Sequence, residues 1–198
     1  MRERAIMKLL SDDPACILLL RSKCTTDNMW KIVIQLEPNL FQYMKDPSNE
    51  MCLYALKEDG SNLQYVVKNP SVKLTSEMIY TAVSNYPAAI FDVPVEMRDN
   101  AIKEFAFDRD PTLIKNFTNV RKDYINQKIK EDPSFIRFLN DPDEDLVCKA
   151  IENDPNYCVY VKKYKNRIYE KIITVIDIND RIVCIYCECC ALYASKNR

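Results

Sequence analysis

Ile129-Lys130-Glu131-Asp132-Pro133-Ser134-Phe135-Ile136-Arg137-Phe138-Leu139 carries the phrase on which the fold turns. An acid precedes the proline, an apolar residue stands four places before it, and apolar residues come three and six places after. The same phrase recurs at Pro14, Pro38, Pro87, Pro111 and Pro155, and once with Gly60 in place of proline. The seven marks are separated by 24, 22, 27, 24, 22 and 22 residues. A period of this size is the signature of small units stacked on one another, each contacting its neighbours, rather than of a globule built round one cavity.

With the mark counted as position 0, four positions keep their character. Position −4 holds Leu10, Ile34, Leu56, Val83, Phe107, Ile129 and Ile151, and position +3 holds Ile17, Phe41, Leu63, Ile90, Ile114, Ile136 and Cys158. Position +6 holds Leu20, Met44, Val66, Val93, Phe117, Leu139 and Val161, and position −9 holds Ala5, Met29, Met51, Met78, Ile102, Tyr124 and Leu146. Position −5 is alanine in four copies (Ala55, Ala82, Ala106, Ala150), where two helices need to approach closely.

The residue before the mark is Asp13, Asp59, Asp110, Asp132 or Asp154 in five copies, and Glu37 or Tyr86 in the others. Asp followed by Pro reads as an N-cap and a first-turn proline: the carboxylate accepts an orphan N–H, and the ring sits where no helical N–H is required. Each mark therefore opens a short second helix, and positions −9 and −4 lie on the inner face of a first helix ending just upstream. Further caps are expected at Asp46-Pro47, Asn69-Pro70 and Asp141-Pro142. Helices this short are marginal alone and must bury an apolar face on the next unit. The wide interval between Gly60 and Pro87 contains Ser71–Thr75, read as a loop and the best candidate for a bend.

After Val161 the phrase fades. Ile168, Ile172, Val175 and Ile176 fall at helical spacing, and so do Ile182, Val183, Ile185, Tyr186, Cys189, Cys190, Leu192 and Tyr193. The expected fold is all-α: a solenoid-like array of about seven short helical-hairpin repeats over residues 1–161, closed in the same domain by a longer capping helix pair over 162–198.

Composition narrows the function. A single glycine in 198 residues excludes glycine-rich phosphate loops and dinucleotide fingerprints. The absence of histidine removes the commonest general base and the commonest zinc ligand. No pairing of the remaining Asp, Glu, Lys or Cys residues suggests catalysis, so a non-enzymatic chain without cofactor is expected. A net charge of −1 with both signs interspersed gives no global field toward nucleic acid or membrane. Ser11-Asp12-Asp13-Pro14 interrupts any signal-peptide core, and Ile182–Ala194 is too short and polar to span a bilayer, so a cytoplasmic location without membrane contact is expected. Cys184, Cys187, Cys189 and Cys190 are crowded on one helix and surround an ion poorly. Buried or incidental thiols are expected there, not a metal site. Cys16, Cys52, Cys148 and Cys158 occupy or adjoin repeat core positions as small hydrophobes.

Three features could meet a partner. Val159–Lys171 interleaves Lys162, Lys163, Lys165, Arg167 and Lys171 with Tyr160, Tyr164 and Tyr169, which is either the solvated face of a capping helix or a DNA-facing grip. Asp141, Asp143, Glu144 and Asp145 are either the N-cap and first turn of a helix or an acidic patch for a basic protein surface. Tyr43, Tyr65, Phe138 and Tyr160 recur at position +5, as inter-unit packing or as a partly exposed aromatic ladder.

Two resemblances add to this. Leu53-Tyr-Ala-Leu-Lys-Glu-Asp-Gly-Ser-Asn-Leu-Gln-Tyr-Val66 resembles one copy of a widespread helical repeat of unknown function, and Cys148–Val161 is a second match. That family's units run Ala-Val/Leu, about three residues, Gly, then Leu and an aromatic–small pair; the likeness implies fold alone. In size, in its Lys/Asn/Ile/Tyr bias and in its lack of catalytic motifs, the chain also resembles small staphylococcal-phage proteins that bind host RNA polymerase through the promoter-recognising domain of the primary sigma factor. That resemblance implies a non-enzymatic regulator in the host bacterial cytoplasm that alters promoter use, with the acidic patch on sigma and the basic segment beside promoter DNA. A generic protein-interaction repeat with another target, and a nucleic-acid binder using the basic Tyr/Lys segment, are the alternatives.

Overall fold

The computed structural model describes residues 2–20, 25–154 and 157, and among them the chain is all-α, with no strand. Among the described residues eight α-helices succeed one another: α1 (Arg2–Asp12), α2 (Asp27–Leu36), α3 (Asn49–Glu58), α4 (Leu63–Lys68), α5 (Ser76–Asn85), α6 (Asn100–Arg109), α7 (Lys122–Glu131) and α8 (Glu144–Asn153). The chain divides into two compact units, Met1–Leu113 and Ile114–Arg198. The first holds α1 to α6 and the second α7 and α8. The expected capping pair over 162–198 and the mark at Pro155 lie outside the described residues.

Helices α2, α3, α5, α6 and α8 start on a recurring cap that lies twelve residues before the mark, whereas α7 has Arg121 there and no side-chain cap. Thr26, Ser48, Thr75, Asp99 and Asp143 each accept the backbone N–H of the residue at position −9 through a side-chain oxygen, at 3.4, 3.2, 3.3, 2.9 and 3.0 Å. This corrects the caps expected at Asp46, Asn69 and Asp141. A capping oxygen must reach the amide three residues on, and the residues at that distance from Met51, Met78 and Leu146 are Ser48, Thr75 and Asp143. Asn69 instead folds its own turn, its Oδ1 accepting the Ser71 N–H at 2.9 Å. Thr75→Ala and Asp99→Ala are each expected to lower the stability of the first unit by about 1 kcal/mol, measured by urea unfolding.

The residue before the mark ends one helix and begins the next. Its N–H donates to the carbonyl at position −5 at all seven stations, from Asp13 to Leu9 (2.8 Å) through Tyr86 to Ala82 (2.7 Å) to Asp154 to Ala150 (2.9 Å). Its backbone is extended at Asp13, Asp59, Tyr86, Asp110 and Asp132, with φ between −149 and −133°, and at Glu37 φ is −135° with ψ at 83°. An extended backbone is what a following proline demands. Where the residue is Asp, its carboxylate also caps the second helix: Asp13, Asp59, Asp110 and Asp132 accept from the N–H just after the mark, at 3.1, 2.8, 3.0 and 2.9 Å. Glu37 and Tyr86 make no such bond.

The second helix is a 3₁₀ segment: Pro14–Leu19, Pro38–Tyr43, Gly60–Asn62, Pro87–Phe91, Pro111–Asn116 and Pro133–Phe138. Positions 0, +3 and +6 differ by three, the 3₁₀ turn, so they fall in one line. Position +3 is buried at all six of these stations. After Gly60 the 3₁₀ turn runs on into α4. The long interval to Pro87 is thus filled by a longer second helix as well as by the loop before α5.

Packing in the first unit keeps chain order: α1 on α2, α2 on α3, α3 on α5 and α5 on α6. Each of α2, α3, α5 and α6 also rests on the mark segment preceding it. In the second unit α7 packs on α8, and α8 on the Pro133 segment. Position −4 is buried in every copy and position −9 from Met29 onward, and Ala55, Ala82, Ala106 and Ala150 at position −5 are fully inaccessible; in α1, contrary to expectation, Ala5 and Leu9 are exposed. Two further positions complete the core. Position −8 buries Trp30, Cys52, Ile79 and Val147, and position +2 buries Leu40, Asn62, Ala89, Leu113 and Phe135.

Burial pushes the Cys52 thiol up to about 11. The thiolate is the reactive form, so Cys52 is expected to resist a disulfide reagent at neutral pH until the first unit unfolds, as read by mass spectrometry of the labelled peptides. Among the described residues no helix is long and apolar enough to cross a membrane.

Candidate partner-binding surface

Because the first helices pack in chain order, their outward residues meet in a fixed register: position −7 of one copy lies against position −6 of the next. The Tyr54 hydroxyl donates to Lys31 O at 3.4 Å while the Lys31 ammonium sits 5.8 Å from the Tyr54 ring. Tyr80 meets Phe105 edge-on, with centroids 5.0 Å apart. In the second unit, Lys149 Nζ donates to Asn126 Oδ1 at 2.7 Å. Burial, then the neighbouring Glu58, raise the Tyr54 hydroxyl above its usual value.

The Tyr80–Phe105 contact floors an open groove of about 620 Å³ across α3, α5 and α6, lined by Lys57, Glu77, Tyr80, Thr81, Ser84, Asn85 and Phe105. Its C-terminal edge is held by hydrogen bonds. Asn85 Nδ2 donates to Lys57 O at 2.8 Å, and the Gly60 N–H donates to Asn85 Oδ1 at 2.8 Å. Arg109 stacks 3.6 Å above the Phe105 ring and donates to Ser84 Oγ at 3.3 Å. Sequence reasoning passed over this groove. Its signal was there in Tyr54, Tyr80 and Phe105, aromatic residues one helical step from the buried positions.

The mark segments carry a second outward row. Leu18, Leu19, Tyr43 and Phe91 are exposed at positions +4 and +5. Tyr43 is 52% exposed and borders a groove of about 480 Å³ with Leu18, Trp30 and Met44. Tyr65 and Phe138 are only half-buried, while Tyr160 lies outside the described residues. Within the first unit, position +5 is therefore open to solvent at Tyr43 and partly covered at Tyr65.

The acidic run falls at the start of α8. Asp143 is its N-cap, and its other oxygen lies 3.5 Å from Lys122 Nζ. Glu144 opens the helix, and Asp141 and Asp145 are exposed. Asp143 is thus occupied locally; Asp141 and Asp145 are exposed residues of the same run. Asp143→Ala is expected to cost the second unit about 1 kcal/mol, by urea unfolding, whatever the partner is. Lys162, Lys163, Lys165 and Arg167, with Cys184, Cys187, Cys189 and Cys190, lie outside the described residues. In comparisons with known proteins, no family model, no curated protein and no solved structure matches the chain.

Proposed function

We propose that this chain is a non-enzymatic, protein-binding helical repeat that offers its partner the outward rows of its helices and mark segments. The reading is supported chiefly by the register of the repeats. It lines up outward aromatic and apolar side chains along both rows: Tyr54, Tyr80 and Phe105 on the helices, Leu18, Tyr43 and Phe91 on the mark segments. Tyrosine and phenylalanine are enriched where proteins meet.

The partner implied by the phage resemblance is host RNA polymerase, held through the promoter-recognising domain of its primary sigma factor. Exposed Asp141 and Asp145 are the carboxylates that would face a basic surface there. Immobilised full chain incubated with purified polymerase separates the possibilities. Retention of the sigma-containing holoenzyme but not of the core enzyme is expected, together with a loss on Asp141→Ala/Asp145→Ala. Equal failure to retain either enzyme removes polymerase as partner. Retention unaffected by the double substitution moves the contact off the α8 end.

A further inference from the structure

The groove over Tyr80 and Phe105 is electrically polarised. At its C-terminal end stand Lys57, which lines the groove and whose backbone carbonyl accepts from Asn85, and Arg109, whose guanidinium is held beside the last turn of α5 by its hydrogen bond to Ser84. Neither cation has a carboxylate partner among the described residues. Glu77 lines the groove from the first turn of α5, seven residues and about 10 Å along the helix from Ser84. It has no cationic partner among the described residues either. Between the two ends lie aromatic ring surfaces in edge contact.

We propose that this groove binds a short segment of a protein partner that carries carboxylates at one end, an aromatic or large aliphatic residue in the middle, and a basic residue at the other. The assignment rests on the reading of the chain as a protein-binding repeat and names the partner chemistry for one of its surfaces. The carboxylates pair with Lys57 and Arg109, whose guanidinium is already oriented by its stacking on Phe105. The apolar side chain covers Tyr80 and Phe105, and the basic residue meets Glu77. Two cations beside aromatic rings also suit a single nucleic-acid strand. Glu77 weighs against that occupant, since it repels the phosphates running past it.

The test uses the full chain, isotope-labelled, and two probe peptides of opposite direction, acetyl-Asp-Glu-Phe-Leu-Ala-Lys-amide and acetyl-Lys-Ala-Leu-Phe-Glu-Asp-amide. Amide shifts at Tyr80, Thr81 and Phe105 are expected to saturate for one of them with a dissociation constant of about 0.1–1 mM. Lys57→Glu, an exposed substitution that keeps the Lys57 carbonyl, is expected to weaken that binding about tenfold or more. Replacing the probe's acids by their amides has the same expected effect. Absence of shifts at those three amides up to about 5 mM overturns the proposal. So does undiminished binding by Lys57→Glu, or a short oligothymidylate displacing the peptide from the same amides. A protein partner captured equally by the wild-type chain and by Lys57→Glu overturns the groove assignment while leaving the broader protein-binding reading in place.

Discussion

Gly60→Pro is expected to destabilise the first unit by about 3 kcal/mol, although proline occupies the equivalent position in the other six repeats. Repeat-consensus reasoning gives the opposite sign, since replacing glycine by the prevailing residue at a compatible site usually stabilises. The neighbouring helix reverses it. A Cβ on Gly60 would lie 2.8 Å from Tyr86 Cβ and 2.9 Å from Tyr86 N, and would press on the Ala82 carbonyl. Those are backbone and near-backbone atoms of the last turn of α5, with no flexible side-chain end to yield. Proline also removes the N–H that donates to Asn85 Oδ1, the bond that ties this station to α5. Gly60→Ala keeps that N–H and should fall between the two, isolating the steric part. Urea unfolding followed by circular dichroism checks the series, and a Gly60→Pro chain as stable as wild type would refute the close approach.

Asn62→Asp is expected to cost about 4 kcal/mol at neutral pH, although it changes only an amide to a carboxyl. Asn62 is completely inaccessible and stands at position +2, where other copies bury Leu40, Ala89, Leu113 and Phe135. Its Nδ2 donates to Ala55 O at 3.3 Å, and its Oδ1 has no partner. A carboxylate there would lose that donor, face the Ala55 carbonyl and have no cation to balance it. Burial therefore raises the introduced carboxyl's folded-state pKa above the unfolded value of about 3.9. The folded state then binds the proton more tightly. The stability deficit is smallest below the unfolded pKa and grows as pH rises toward the folded one. Unfolding midpoints that converge with wild type near pH 4 and diverge toward pH 7 are expected. A deficit independent of pH would mean that the side chain reaches solvent.

How much of the molecule the sequence disclosed depends on the range of the forces involved. The all-α character and the stations at Pro14, Pro38, Gly60, Pro87, Pro111 and Pro133 were legible because an Asp-Pro step acts locally. The acid and the ring fix the backbone within three residues at Asp13, Asp110 and Asp132, and the acid alone does so at Asp59 before Gly60; all four cap as expected. The 3₁₀ character was written in the spacing of three between Pro38, Phe41 and Met44, since an α-helix would rotate that line away from the core. The caps at Ser48 and Thr75 were overlooked, and that of α8 was placed at Asp141 rather than Asp143, in favour of the more conspicuous Asp-Pro and Asn-Pro pairs. Measuring back three residues from each buried Met or Leu would have found them.

The candidate surfaces were far less legible. Whether Tyr80 touches Phe105 depends on how α5 and α6 stack, a contact between residues 25 apart that no local pattern specifies. The polarity of that groove likewise depends on which charges remain unpaired after packing. The same limit applies to Asp143. Its sequence neighbours mark an acidic cluster, yet its oxygens are taken by the Leu146 N–H and by Lys122 from another helix.

Backbone carbon-13 secondary shifts of the full chain test most directly the claim that short helices are broken and restarted at every mark. Helical shifts are expected over Asp27–Leu36, Asn49–Glu58, Ser76–Asn85, Asn100–Arg109, Lys122–Glu131 and Glu144–Asn153, with non-helical values at Glu37, Asp59, Tyr86, Asp110 and Asp132. Helical shifts running unbroken through those five residues, or strand-like shifts across any of the six segments, would contradict it.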